Sequence, residues 1–155
     1  MSGEEHRIEL ERFVPYRLAV LAAEVSQCLA AIYMGRFNLS IAEWRVVATL
    51  GDQAPLSARE IGDRASLDKV QVSRAVARLL RAQLIVRQTA HHDRRYSQLQ
   101  LSGKGRSLYR EIVPLAKARE QQLLDSLSVD DRAALDRIVQ SLLDRARDML
   151  AESAP

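Results

Sequence analysis

Residues 56–101, LSAREIGDRASLDKVQVSRAVARLLRAQLIVRQTAHHDRRYSQLQL, decide the fold. The stretch opens on Ser57-Ala58-Arg59-Glu60, an S-x-x-E capping box. In such a box the serine accepts from a free N–H of the first turn and the glutamate reaches back to the serine's own N–H. A second helix is expected over residues 67–82, with Ser66 as its N-cap and Asp68 favourable against the helix dipole. Two strands are then expected, at 85–89 and 96–101. The second alternates Ser97, Leu99 and Leu101 with Tyr96, Gln98 and Gln100, as a half-buried strand does. The loop between them carries His91, His92, Arg94 and Arg95. Two short helices followed by a hairpin with a basic tip form the layout of a winged helix-turn-helix, a module that reads duplex DNA.

The second helix of the pair carries two faces at a 100° advance per residue. Val72, Ala75, Val76, Leu79 and Leu80 gather on one side, the side for a core. Val70, Gln71, Arg74, Ala77, Arg78 and Arg81 gather on the other, which suits a major groove. There Gln71 can bond adenine, Arg74 and Arg78 can reach guanine or phosphate, and Val70 or Ala77 can touch thymine methyls. Lys69 and Ser73 sit beside that face as phosphate contacts, and Ser57 and Arg59 on the preceding helix complete the set. An arginine face alone also describes an ordinary solvated surface. The capped helix before it and the basic hairpin after it make the difference.

On the hairpin, His92, Arg94 and Arg95 are candidate DNA contacts, since an arginine on a narrow loop suits the negative potential of a minor groove. Asp93 is expected to support the wing by holding Arg95 in a salt bridge. His91 and His92 lack a third ligand and a cysteine partner, so no metal site is expected.

Outward from this core, Leu39 and Trp44 staple a second box, Ser40-Ile-Ala-Glu43, as Leu56 and Ile61 staple the first. Further helices are expected at 14–35, 41–50, 103–126 and 129–151. Gly51 and Pro55 mark a turn, and Pro114 is expected to kink the helix that contains it. The fold class is therefore mainly α with a small β-hairpin wing. Residues 39–101 form the DNA-binding lobe, and residues 10–36 and 103–151 form N- and C-terminal dimerisation helices. The dimer is expected because Leu135, Ile138, Val139, Leu142, Leu143 and Met149 make a wide apolar stripe that a winged core is too small to cover. Packing of the two chain ends on each other is the alternative.

Charge distribution points the same way. The net charge of the 155 residues is only +3, but residues 59–110 hold twelve basic and four acidic groups, a local balance of +8. The rest of the chain carries −5. That asymmetry is the footprint of a nucleic-acid face on a mildly acidic scaffold. Only Lys69, Lys104 and Lys117 are lysines, and arginine's planar fork suits bidentate contacts to phosphate and guanine. The opening MSGEEHRIELER lacks the apolar core of a signal peptide. No apolar run is expected to span a bilayer, and the protein reads as cytoplasmic. The single cysteine, Cys28, excludes an internal disulfide. It falls on the apolar stripe of the first helix and is expected to be buried there as a small hydrophobe.

Residues 39–50 (LSIAEWRVVATL), Arg59-Glu-Ile-Gly62, Val72-Ser-Arg74, Asp93-Arg-Arg95 and Leu101-Ser-Gly-Lys-Gly105 together resemble the MarR family of bacterial repressors, over roughly residues 14–150. The resemblance implies a homodimer on a pseudo-palindromic operator, with a wing signature Asp-x-Arg that falls on Asp93 and Arg95. Phe13-Val-Pro-Tyr-Arg17 and residues 37–45 look most like the branch controlling aromatic-acid catabolism. The resemblance also implies a small aromatic carboxylate or phenol as effector. Tyr16, Arg17, Tyr33, Trp44 and Arg45 are the candidates to bind it, as aromatic walls with a cationic clamp. Some members sense peroxide through one cysteine of the N-terminal helix, which leaves a redox role for Cys28 as the alternative. A winged helix that binds protein instead of DNA is a third reading, disfavoured by the +8 segment. No hydrolase, zincin, Walker or dinucleotide motif is present, so neither an enzyme nor a cofactor is expected.

Overall fold

The computed structural model describes residues 7–89 and 97–153. Among these, the element order is α1 (Val14–Gly35), α2 (Ile41–Asp52), α3 (Ala58–Ala65), α4 (Lys69–Arg81), β1 (Ile85–Thr89), β2 (Ser97–Leu101), α5 (Gly103–Leu124) and α6 (Val129–Glu152). This is the six-helix, two-strand winged architecture expected from the sequence. Residue contacts divide the chain into two units, 1–116 and 117–155.

Three consecutive helices begin with the same chemistry. Ser40 Oγ accepts from Glu43 N at 3.1 Å while Glu43 Oε2 accepts from Ser40 N at 3.2 Å. Ser57 and Glu60 repeat the exchange at 3.2 and 2.8 Å. For α4 the cap is Asp68, not Ser66. Asp68 Oδ1 accepts from Gln71 N at 2.8 Å and Gln71 Oε1 accepts from Asp68 N at 3.0 Å. Ser66 instead ends α3 in the left-handed region, φ 52°, with its N–H on the Gly62 carbonyl. The turn between the helices consumes Ser66 and Leu67, so the free amides that need a cap start two residues later than expected.

Strands β1 and β2 pair antiparallel with Ile85 opposite Leu101 and Arg87 opposite Leu99. Leu56 joins the sheet edge through an isolated bridge, its N–H on Leu99 O at 3.1 Å and its carbonyl accepting from Leu99 N at 2.8 Å. The wing is thereby tied to the residue that starts the α3 capping turn. Beneath it Val46, Val47, Ile61, Leu79, Leu99 and Ile112 are buried, drawn from α2, α3, α4, β2 and α5. Gly51 does not mark a turn. Helix α2 runs on to Asp52, and Gly51 is the place where the Tyr109 ring lies against it. Pro114 sits inside α5, which continues through it as one helix.

The base of the wing is locked to the end of α4. Ser102 N donates to Leu84 O at 3.0 Å and Ser102 Oγ donates to Gln83 O at 2.7 Å. Lys104 Nζ bonds Ala82 O at 3.0 Å, a cation on the carbonyl end of a helix.

Two expectations about α1 fail. By length and composition this 22-residue helix is apolar enough to cross a bilayer. Its alanines keep it apolar even where it is not packed. Its C-terminal half is anchored in the core through Ala30 and Tyr33. Cys28 is exposed, because none of the described residues covers that stripe. Along the same helix Leu18 and Leu21 are exposed as well. In the second unit, α6 has no buried residue, and Ile138, Val139, Leu142 and Leu143 stand about half exposed.

Candidate nucleic-acid interface

Helix α4 turns its two faces as the periodicity requires. Val72, Ala75, Val76 and Leu79 are buried. Lys69, Val70, Gln71, Ser73, Arg74, Ala77, Arg78 and Arg81 are exposed. Val70 decides the reading, because it is 57% exposed on a helix that had core to offer it. An apolar side chain left among cations and amides suits a thymine methyl better than it suits water.

The structure also shows what several candidates are already doing. The Gln71 carboxamide oxygen is committed to the Asp68 N–H. Bidentate adenine reading uses that oxygen and the amide nitrogen together, and would draw on the oxygen's second lone pair in the orientation the cap sets. Ser57 donates its hydroxyl proton to Glu60 Oε2 at 2.8 Å and accepts from Glu60 N, which removes its donor from a phosphate. The Ser57 backbone N–H, followed by its hydroxyl, holds the Glu60 carboxyl below the usual carboxylate range. Arg78 is not a free cation. Its Nε lies 3.4 Å from Glu43 Oε1 on α2, and the Glu43 side chain is only 6% exposed. Of these three expected DNA contacts, Gln71 and Ser57 thus also serve as capping residues and Arg78 is paired to α2 through one nitrogen, its side chain still 53% exposed. Arg59, Lys69, Ser73 and Arg74 lie exposed on α3 and α4.

A groove of about 640 Å³ runs between α3, α4 and β1, with Arg59, Lys69, Ser73 and Arg87 among its lining and Val72 and Leu80 in its floor. Arg87 is a lining residue not singled out among the candidates from the sequence. It stands two positions after Ile85 on the same strand face, opposite the buried Leu99. A second concavity of about 450 Å³, between the start of α2 and the outer face of α4, is lined by Ser40, Glu43, Gln71, Arg74, Arg78 and Arg81. His91, His92, Asp93, Arg94 and Arg95 lie outside the described residues.

Within one chain the five effector candidates do not come together. Tyr33 stacks on Trp44 with ring centroids 5.6 Å apart, and Trp44 stacks on Tyr109 at 6.3 Å. Arg45 Nη2 donates to Ser26 Oγ at 3.3 Å. Burial raises the Tyr33 hydroxyl above its ordinary range, with the Arg45 charge opposing. Tyr16 and Arg17 stand near the far end of α1, roughly 24 Å along the helix axis from Tyr33 at 1.5 Å per residue. Within one chain they cannot share a small-molecule pocket with the stack, and the spacing of α1 is the reason. Tyr109 is the aromatic the sequence reading missed, since the α5 spacing by itself does not reveal that it meets Trp44.

Residues 37–95 match the MarR family. An HTH-type transcriptional regulator, FarR of Neisseria gonorrhoeae, is 27% identical over 79 residues, 51% of this chain and 54% of that protein. The chain thus matches about half the length of that curated relative. The crystal structure of a MarR/EmrR family transcriptional regulator from Acinetobacter sp. ADP1 superposes with a TM-score of 0.83 at 26% identity, covering 91% of this chain and 99% of the other. BpsR of Bordetella bronchiseptica, whose DNA binding is regulated by 6-hydroxynicotinic acid, superposes with a TM-score of 0.78 at 22% identity, over 89% and 98% of the two chains, and speaks for the fold alone. The stapled and capped helix pair, the paired wing strands and these likenesses give the chain the winged helix-turn-helix fold of MarR-type transcriptional regulators, with the MarR family match falling on residues 37–95.

Proposed function

We propose that this protein binds a pseudo-palindromic DNA operator as a homodimer in the cytoplasm, represses transcription there, and is released by a small aromatic carboxylate or phenol. The exposed face of α4, with Val70 set among Lys69, Gln71, Ser73 and Arg74, is the observation that carries the reading. Residues 39–101 would read the DNA, and residues 10–36 and 103–151 would hold the dimer. The half-exposed leucines of α1 and α6 support a second copy as their cover. A dimer of this kind sets its half-sites about 10 bp apart, one turn of the duplex.

The effector is assigned to the surroundings of Tyr33, Trp44 and Arg45, where stacked rings stand beside a guanidinium held by Ser26. BpsR, alike in fold, is regulated by 6-hydroxynicotinic acid, which makes aromatic acids the first class to test. The test is fluorescence anisotropy against the DNA upstream of the protein's own gene, with a scrambled duplex as control and a panel of aromatic acids. Salt-sensitive binding that one acid releases is the expected result. Binding that no acid releases would instead favour oxidation of Cys28, whose exposure supports that second reading. A Cys28→Ser variant that stays bound in hydroperoxide, while the wild type is released, would establish it.

A further inference from the structure

Glu43 occupies an unusual position for a capping residue. As the third residue of α2 it uses Oε2 to close the capping box on Ser40 N, at 3.2 Å. Its other oxygen, Oε1, faces Nε of Arg78 on α4 at 3.4 Å. The glutamate side chain is 6% exposed, whereas that of Arg78 is 53% exposed. A buried carboxylate requires a compensating charge, and removing its partner costs more than the pair contributes. Arg78 therefore cannot swing out to a phosphate without leaving Glu43 buried and unpaired. Among the described residues, Arg74 and Arg81 on the same face have no ion-pair partner.

We propose that Glu43 is a specificity-determining residue that masks the charge of Arg78, so that the recognition helix offers one fewer free cation to non-specific phosphates. The proposal rests on the DNA-binding reading above. On a random duplex a protein shifts until its free cations find phosphates, and affinity there follows their number. In a docked register the place of Arg78 relative to the nearest phosphate is set by α4 itself, so unmasking it adds less. Discrimination then improves because α2 holds one arginine of α4 back.

Glu43→Gln tests this without removing the cap. Glutamine serves equally at the third position of a capping box, and α4 of this chain uses Gln71 in that role. The probes are a duplex selected from a random pool by the wild-type protein and a scrambled version of it, titrated by anisotropy between 50 and 200 mM salt. On the scrambled duplex, E43Q should bind more tightly, with a log–log salt slope steeper by about one. One more released counterion makes its advantage over wild type grow about three- to fourfold from 200 to 50 mM. The selected duplex should gain less. In an Arg78→Ala background the same Glu43→Gln change should do nothing to either duplex.

An unchanged slope, an equal gain on both duplexes, or the same gain without Arg78 would overturn the proposal. The last result would mean that Glu43 acts only through net charge. A thermal melt confirms that E43Q is folded. If it is not, Arg78→Gln tests the link from the other side: its carboxamide can still donate to Glu43 Oε1, and the salt slope on scrambled DNA should stay as in the wild type, whereas a slope flatter by about 0.9 would overturn the proposal. Failure of the wild type to select any duplex would count against DNA binding itself, and is distinct from all of these.

Discussion

Adding one methyl at Gly105 tests the packing that joins the wing to α4. Gly105 is buried near the start of α5. A Cβ there would run into the carbonyl oxygen of Leu84, with the carbonyl carbon at 2.9 Å and Cα at 3.4 Å. The obstacle is backbone, so no rotamer change relieves it. Leu84 is itself pinned, its N–H on Leu79 O and its carbonyl accepting from Ser102 N, both at 3.0 Å. Either α5 retreats or the Ser102 bond breaks. Overpacking of this kind costs about 1–3 kcal/mol, and a lost hydrogen bond adds about 1 kcal/mol. The better helix propensity of alanine returns at most about 1 kcal/mol. Gly105→Ala should therefore destabilise by about 2–3 kcal/mol, a fall in Tm on the order of 5–10 °C for a chain of this size. Gly103→Ala is the matched control, because its Cβ would meet nothing within 4 Å. It should leave Tm unchanged or raise it slightly. A Gly105→Ala melt within about 2 °C of wild type would refute the reasoning, as would an equal fall for both variants in calorimetry or circular dichroism.

Further outcomes follow from the same geometry. Lys69→Ala and Arg74→Ala should each flatten the log–log salt dependence of DNA binding by about 0.9, whereas Val70→Ala should relax base preference and leave the slope alone. Ile138→Glu on α6 places a charge in the exposed apolar stripe, and light scattering should report monomers where the wild type gives dimers. Ile61→Ala empties a fully buried site and should cost about 2–5 kcal/mol in urea denaturation. The Glu60 carboxyl is held low in the folded chain, so its support of α3 is present above the ordinary carboxylate pKa and is lost as pH falls through the folded value. In Ser57→Ala, an NMR titration should find that carboxyl moved back up.

The α3–α4 pair, the wing strands and the basic face were legible because each rests on short-range chemistry. Capping boxes involve residues three apart. Helix faces repeat over 3.6 residues and strands over two. For that reason the Ser40 and Ser57 caps and the outward position of Val70 follow from the chain alone. The Asp68–Gln71 cap was also readable, as D-x-x-Q, but Ser66 offered a competing start until the left-handed turn at Ser66 excluded it.

Contacts distant in sequence were not legible in this way. That Glu43 meets Arg78, that Tyr109 completes the stack on Trp44, and that Leu84 blocks Gly105 all depend on how helices cross. No local periodicity encodes a crossing, which is set by which side chains fill the shared core. The amino-acid order by itself determined the winged module and its charged face. Only the tertiary structure decided which of those charges are free, because an arginine's partner is chosen by packing and not by its neighbours in the chain.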